Sequence, residues 1–339
     1  MQFDGGRFVV SLDFELMWGV FDKRTIHDYG KNIIAVWDVI PRTLALFDQH
    51  GICATFATVG FLYADGKTEL QTMLPDLKPE YTEKQLSPYT SYIPAIANNG
   101  EEDQYHFAKP LIQLIKGYPA QEIGTHTFSH YFCLEGGQEP AAFKADLSAA
   151  IALAAANGIK TTSIVFPRNQ INPEHLEICR ESGIKAYRGN ERHWIYKAER
   201  LERKSDIKRG LRLLDTYINL SGHHCYPLNY PENKVPVEFP IDIPSSRFLR
   251  PYSPKLKVFE ELKLNRIKNA MTYAAKHKQL YHLWWHPHNF GSHTNENFLF
   301  LEKILKHYVQ LHKQYNFSSI TMSGLAKAFE NCPCSHHHR

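Results

Sequence analysis

Strand-like and helix-like runs alternate along almost the whole chain, and this alternation restricts the possible folds more than any other feature of the sequence. Phe8 to Phe14, Ala54 to Val59, Glu122 to His126, Thr161 to Phe166, Lys185 to Arg188, Gln279 to His286 and Phe317 to Thr321 read as strands. Between them, Ile33 to His50, Phe107 to Lys116, Pro140 to Asn157, Pro173 to Ser182, Phe259 to His277 and Glu296 to Tyr315 carry helical periodicity. Glu191 to Lys208 reads as a very polar helix, and a further strand is expected near Val237 to Ile243. Repeated βα units imply parallel strands with helices outside them, in a barrel or an open doubly wound sheet. No G-x-G-x-x-G follows the first strand and no G-x-x-x-x-G-K occurs, which weakens dinucleotide and nucleotide readings. No Pro/Ser-rich linker divides the 339 residues. One elaborated domain over residues 1–330 is expected, with an excursion at about 65–106, an irregular stretch at about 211–252 and a polar tail at 331–339.

Composition removes several function classes. A 43% apolar and 22% charged chain reads as an ordinary soluble globular protein. Its 39 basic and 35 acidic residues are interspersed, so nucleic acid is not a favoured partner. No apolar run approaches the roughly 20 residues of a membrane span. The polar start runs straight into a strand, so no secretory signal is expected and the protein is expected in the cytoplasm. Cys53, Cys133, Cys179 and Cys225 are scattered and read as thiols in a reducing compartment, while Cys332, Cys334 and the run His336 to His338 lie in the tail.

Four strand ends carry the candidate chemistry. In the first strand, Phe8, Val10, Leu12 and Phe14 share one face, and Val9, Ser11, Asp13 and Glu15 share the other. If the second face points into a barrel, two carboxylates stand at the C-terminal end, where α/β folds place their sites. Acids so close together require a cation or a strong donor beside them, unless they are simply solvated at the strand end. The second end is Glu122-Ile-Gly-Thr-His126-Thr-Phe-Ser-His130, whose histidines share a face in either a helical turn or a tight loop. Two imidazoles and a carboxylate make a common shell for a catalytic divalent metal. The third is Gln279-Leu-Tyr-His-Leu-Trp-Trp-His286-Pro-His288, where His286 suits general acid or base work, His282 a hydrogen-bonded core role, and His288 either the site rim or a loop. The fourth is Val165-Phe-Pro-Arg168, whose arginine is placed to pair with a carboxylate or to lie on the surface.

Together these segments resemble the polysaccharide deacetylases, the NodB-homology or carbohydrate esterase family 4 group. Ser11-Leu-Asp13-Phe-Glu15 corresponds to the family's first acidic motif, with one residue inserted and Glu for the second Asp. His126-Thr-Phe-Ser-His130 matches H-[ST]-x-x-H fully, and Leu283-Trp-Trp-His286-Pro287 matches the last motif. Arg168 fits the motif whose arginine orients the catalytic Asp, with Pro167 before it rather than a proline after it. The resemblance implies a distorted (β/α) barrel of about seven strands and a metal-dependent hydrolase that removes an N-acyl group, usually N-acetyl, from an amino sugar. It implies Glu15, His126 and His130 as ligands of a divalent metal, most simply zinc, with Asp13 as base, Arg168 as its partner and His286 as the acid. The resemblance leaves both assignments of the base and ligand roles between Asp13 and Glu15 open. Asp242 and its rival Asp215 stand for the acid that supports the histidine. Trp18, Phe128, Tyr131, Trp284 and His288 are the substrate-binding candidates. A deformylase, a hydrolase of a ureide or cyclic imide, and a non-catalytic carbohydrate-binding barrel are the alternatives. The missing signal and the resemblance suggest a precursor-level step in surface-polysaccharide assembly; oligomeric state is not legible.

Overall fold

The computed structural model describes residues 3–97, 103–200, 205–228 and 240–330. Among these residues one sheet contains ten strands: β1 (Arg7–Phe14), β2 (Ala54–Thr58), β3 (Glu122–Thr125), β4 (Ser163–Ile164), β5 (Ala186–Gly189), β6 (Tyr226–Pro227), β7 (Ile241–Pro244), β8 (Arg247–Phe248), β9 (Gln279–Trp285) and β10 (Ser318–Ser319). The path β9-β1-β2-β3-β4-β5-β7 is parallel throughout. β7 then bends through Ser245 and Ser246 into β8, which pairs parallel with β9. At the bend Ser245 N–H donates to Gly189 of β5 and Ser246 N–H donates to His282 of β9. The sheet thus closes almost completely on itself, with seven staves if β7 and β8 count as one. β6 adds an antiparallel pair to β9, and β10 pairs with the start of β1.

The alternation read in β1 is the alternation that packs. Phe8, Val10, Leu12 and Phe14 join the large outer core beneath the helices. Val9 faces inward with Ala57, Val165, Ala186, Ile241, Ile243 and Leu280. Met322, Leu325 and Ala326 of the last helix, Met322–Glu330, complete that inner cluster. Each large apolar side chain so buried contributes about 1.5–3 kcal/mol of transfer free energy.

Several expected elements differ. The run read as one helix from Ile33 is two, Ile26–Ile34 and Val36–His50, meeting at Ala35. Thr25 and Asp28 form a capping box that starts the first helix upstream of its apolar period. The described residues from Glu191 to Arg200 do not form the expected helix. They hold one 3-10 turn, Trp194–Tyr196, and the helix Asp206–Asp215 starts at the end of the run, where Ser205 accepts from Lys208 N–H; residues 201–204 lie outside the described residues. The run lacks an apolar stripe to pack, so the cap decides where helix starts. The strand expected near Val237 is β7; residues 237–239 lie outside the described residues, as does the tail with its cysteines and histidines. The excursion at 65–106 holds short helical turns, as its turn formers suggest. No described helix is long and apolar enough to cross a membrane.

Candidate active site at the strand ends

Asp13 lies at the end of β1 and Glu15 just past it, both 3% exposed. Leu16 then takes a left-handed φ of 47°, which turns the chain sharply into the 3-10 turn Leu16–Gly19. A Cβ at Gly19 would lie 2.0 Å from the Glu15 carboxyl carbon, so the missing side chain at 19 makes the space the carboxylate occupies.

His126 follows β3 and His130 closes a tight loop, with Thr127 and His130 at positive φ. The sequence left a helical turn or a loop open; the chain takes the loop. Asp146, buried in the helix Pro140–Ala156, holds it from behind by accepting from Phe128 N–H (2.7 Å) and Ser129 N–H (3.1 Å). Burial pushes the Asp146 carboxyl up to about 6, against the pull of these donors. Thr127 adds a second tie by accepting from Tyr131 N–H at 2.7 Å. Asp146 escaped the sequence reading because an acid in a helical run reads as solvated surface.

Glu15 Oε2 stands 3.3 Å from His126 Nε2 and 3.2 Å from His130 Nε2. Ligands about 2.0–2.1 Å from a tetrahedral ion are about 3.3–3.4 Å apart. His126 Nδ1 lies 2.8 Å from the Val165 carbonyl, which only accepts, so Nδ1 carries a proton. In the neutral ring the Nε2 lone pair therefore faces the carboxylate, an arrangement a cation between them relieves. Burial lowers His130 to about 4, which keeps that ring neutral as a ligand must be. The donor set fits a small divalent ion, and the Val165 carbonyl is the kind of outer partner that fixes a ligand histidine. Glu15 also approaches a second pair, with Oε1 3.6 Å from His286 Nε2 and 3.8 Å from His288 Nε2. His288 is buried here, and burial lowers it to about 4.

Asp13 is paired with Arg188, not with Arg168. Arg188 Nη1 and Nη2 donate to Asp13 Oδ1 and Oδ2 at 2.6 and 2.7 Å, and also to Ser11 Oγ and Asn169 Oδ1. Burial pushes the Asp13 carboxyl up, but the Arg188 charge, with His126 and His286, outweighs it and holds the group below its ordinary value. Arg168 sits at a left-handed φ of 55°, which carries its guanidinium past the strand end onto Asp22 and over the Phe132 ring. Arg188 was within reach of the sequence: it shares the inward face of β5 with Ala186 and stands at the strand's C-terminal end.

His286 Nε2 lies 3.6 Å from Asp13 Oδ2, and Asn289 Oδ1 is 3.1 Å from its Nδ1. Neither acid proposed to support it does so: Asp242 pairs with Arg192, and Asp215 is buried against Arg247. His282 is in the core, bonded to Ser11 Oγ at 2.8 Å. Of the aromatic candidates, Trp18, Phe128 and Tyr131 are wholly buried, Trp18 and Phe128 against Phe61 and Tyr131 against Phe143, so they pack the core and present no face to a ligand. Trp284 is half-buried under Arg188 and beside Phe248. It lines, with His286, a cleft of about 340 Å³ beside the acids.

No family model matches the chain, and no curated protein matches it in sequence. Solved structures do match. A Mycobacterium smegmatis protein assigned as a polysaccharide deacetylase has a TM-score of 0.57 at 11% identity, covering 96% of this chain and 91% of its own. The PuuE allantoinase reaches 0.53 at 11%, covering 100% and 94%. A Pseudomonas aeruginosa protein assigned as a polysaccharide deacetylase reaches 0.50 at 10%, covering 99% and 94%. Identities this low speak to architecture: the nearly closed barrel of this chain has the fold of the polysaccharide deacetylases.

Proposed function

We propose that this chain is a metal-dependent amide hydrolase that removes an N-acyl group, most simply N-acetyl, from an amino sugar. The observation that carries this reading is the convergence of His126 and His130 on one oxygen of Glu15, at 3.3 and 3.2 Å, beside a carboxylate clamped by an arginine. Glu15, His126 and His130 would hold the ion, most simply zinc given a two-nitrogen, one-oxygen donor set. When bound, such an ion polarises a carbonyl and lowers the pKa of water. Asp13 is the base: Arg188 keeps it ionised and fixed in orientation, ready to take the proton of the attacking water. His286 is the acid: with Asn289 on Nδ1, its Nε2 faces the acids and hands a proton to the departing amine. Trp284 and Phe248 form the apolar wall against which a sugar ring would rest. The biosynthetic setting, assembly of a surface polysaccharide, is supported by the family resemblance alone.

The same fold carries an allantoinase, so a hydrolase of a small cyclic amide is the second reading. Elemental analysis of purified protein, with acetate, formate and ammonia release from N-acetylated, N-formylated and cyclic substrates, separates the two. One equivalent of divalent metal and acetate release are expected. His126→Ala loses both metal and turnover, whereas Asp13→Asn keeps metal and loses about 10²–10⁴ in turnover. Full metal content in His126→Ala removes that histidine from the ligand set. Sugar binding with neither metal nor product identifies a non-catalytic barrel.

A further inference from the structure

The cleft beside His286 is not lined as a groove for a neutral sugar polymer. Five arginines reach it, Arg168, Arg209, Arg212, Arg247 and Arg250, against one acid, Glu191. Two are already neutralised, Arg168 by Asp22 and Arg247 by the buried Asp215. Arg209 pairs with Asp206 on the exposed side of its helix. Arg212 and Arg250 have no carboxylate partner among the described residues. Toward the described residues each engages Nε, on the Lys208 carbonyl and on Thr216 Oγ1 respectively. Thr216 joins the two, accepting from Arg250 Nε at 2.9 Å and donating to the Arg212 carbonyl at 3.0 Å. Among the described residues neither guanidinium fork is engaged, both side chains are half-buried, and they lie close enough that Arg212 and Arg247 together oppose the charge on Arg250, whose burial already lowers it. Like charges gathered in a cleft favour a multiply charged anion, and planar forks suit phosphate oxygens.

We propose that Arg212 and Arg250 bind the phosphate or pyrophosphate group of a phosphorylated amino-sugar substrate. This rests on the hydrolase reading for the sugar, though not for the anion. His286 and Trp284 line the same cleft as the two arginines, so the sugar ring spans the distance between the acids and the anion. The substrate is then a charged precursor rather than a finished neutral polysaccharide.

Titration calorimetry with inorganic pyrophosphate on the metal-loaded full chain is the test. Saturable binding is expected, weakened about tenfold or more in Arg212→Ala and in Arg250→Ala. Arg212→Gln, which keeps a donor near the Lys208 carbonyl, replaces the alanine variant if that does not fold. Because pyrophosphate also binds metals, His126→Ala is measured beside them. Retained binding there places the anion on the arginines and stands even if no amide is hydrolysed. Unchanged binding in the arginine variants, loss of binding in His126→Ala, absence of saturable binding at millimolar pyrophosphate, or equally tight binding of glucuronate overturns the proposal. Comparing uridine-diphosphate N-acetylglucosamine with N-acetylglucosamine 1-phosphate then distinguishes a nucleotide-linked source from a simple sugar phosphate: in either case kcat/KM falls in Arg250→Ala by more for the charged substrate than for neutral N-acetylglucosamine, and an equal fall for both overturns the proposal.

Discussion

Arg188 illustrates how much one side chain can decide. It is 1% exposed and forms both bonds of a fork to a carboxylate that is itself 3% exposed. Removing the cation strands a buried anion, so Arg188→Ala is expected to cost about 3–5 kcal/mol in urea unfolding. Arg188→Lys keeps the charge but gives up the paired geometry; it should recover most of the stability while turnover stays low. Equal turnover in Arg188→Lys and the parent would show that the orientation of Asp13 does not matter. At this scale the sequence was uneven. Asp13, Glu15, His126 and His286 answer to one criterion, a polar residue at the C-terminal end of a strand, and His130 to its spacing of four from His126. The same criterion selects Arg188, but the proline-flanked Arg168 drew attention because its local context was richer. No local pattern marks Asp146, whose role depends on a loop that comes before it in the chain and packs on it only in the fold.

The turn Leu16–Gly19 is the element on which the carboxylate of Glu15 depends. A methyl at position 19 must displace that carboxylate, which is 2.0 Å from where the Cβ would lie. Gly19→Ala is therefore expected to lower metal affinity by at least about tenfold, the scale on which ligand-orienting contacts act, with melting temperature nearly unchanged in the metal-free protein. Undiminished affinity would mean that the turn yields instead of the ligand. Elements with a strong period or a clear stop were legible: β1, β9 and the helices Pro140–Ala156 and Thr294–Tyr315 fall within two residues of the expected bounds. The stretch from Glu191 to Tyr252 was less so: β7 was expected, but the described two-residue strands β6 and β8 owe their order to pairing with β9 rather than to their own sequence, and the helix Asp206–Asp215 starts at its cap.

For the molecule as a whole, acid stability follows from buried imidazoles. Burial holds His175 and His224 at about 4 and His282 at about 3. Their unfolded values lie near 6.5, so the unfolded chain takes up protons that the folded chain refuses as pH falls below that point. Stability present above pH 6.5 is lost on the way down to about 4. Asp146, raised to about 6, and Glu191 and Asp242, also raised by burial, work in the opposite direction, but the lowered imidazoles, with His223 and His307 among them, are more numerous. Unfolding free energies from urea titration should fall from pH 7 to pH 5, by about 1.4 kcal/mol per pH unit for each net proton. His175 stacks on Phe143 at 4.0 Å with neither ring nitrogen bonded. His175→Phe should fold and show a shallower slope, and an unaltered slope would exclude this ring from the acid response. The bend through Ser245 and Ser246 that closes the barrel has a wider consequence. It leads directly into Arg247, Phe248 and Arg250, whereas the acids and imidazoles of the reaction centre sit on other staves and loops. If the proposed anion site and hydrolase centre hold, cargo recognition and bond cleavage lie in largely separate stretches of the chain, and exchanging residues 205–250 between relatives should retarget the catalyst without rebuilding it.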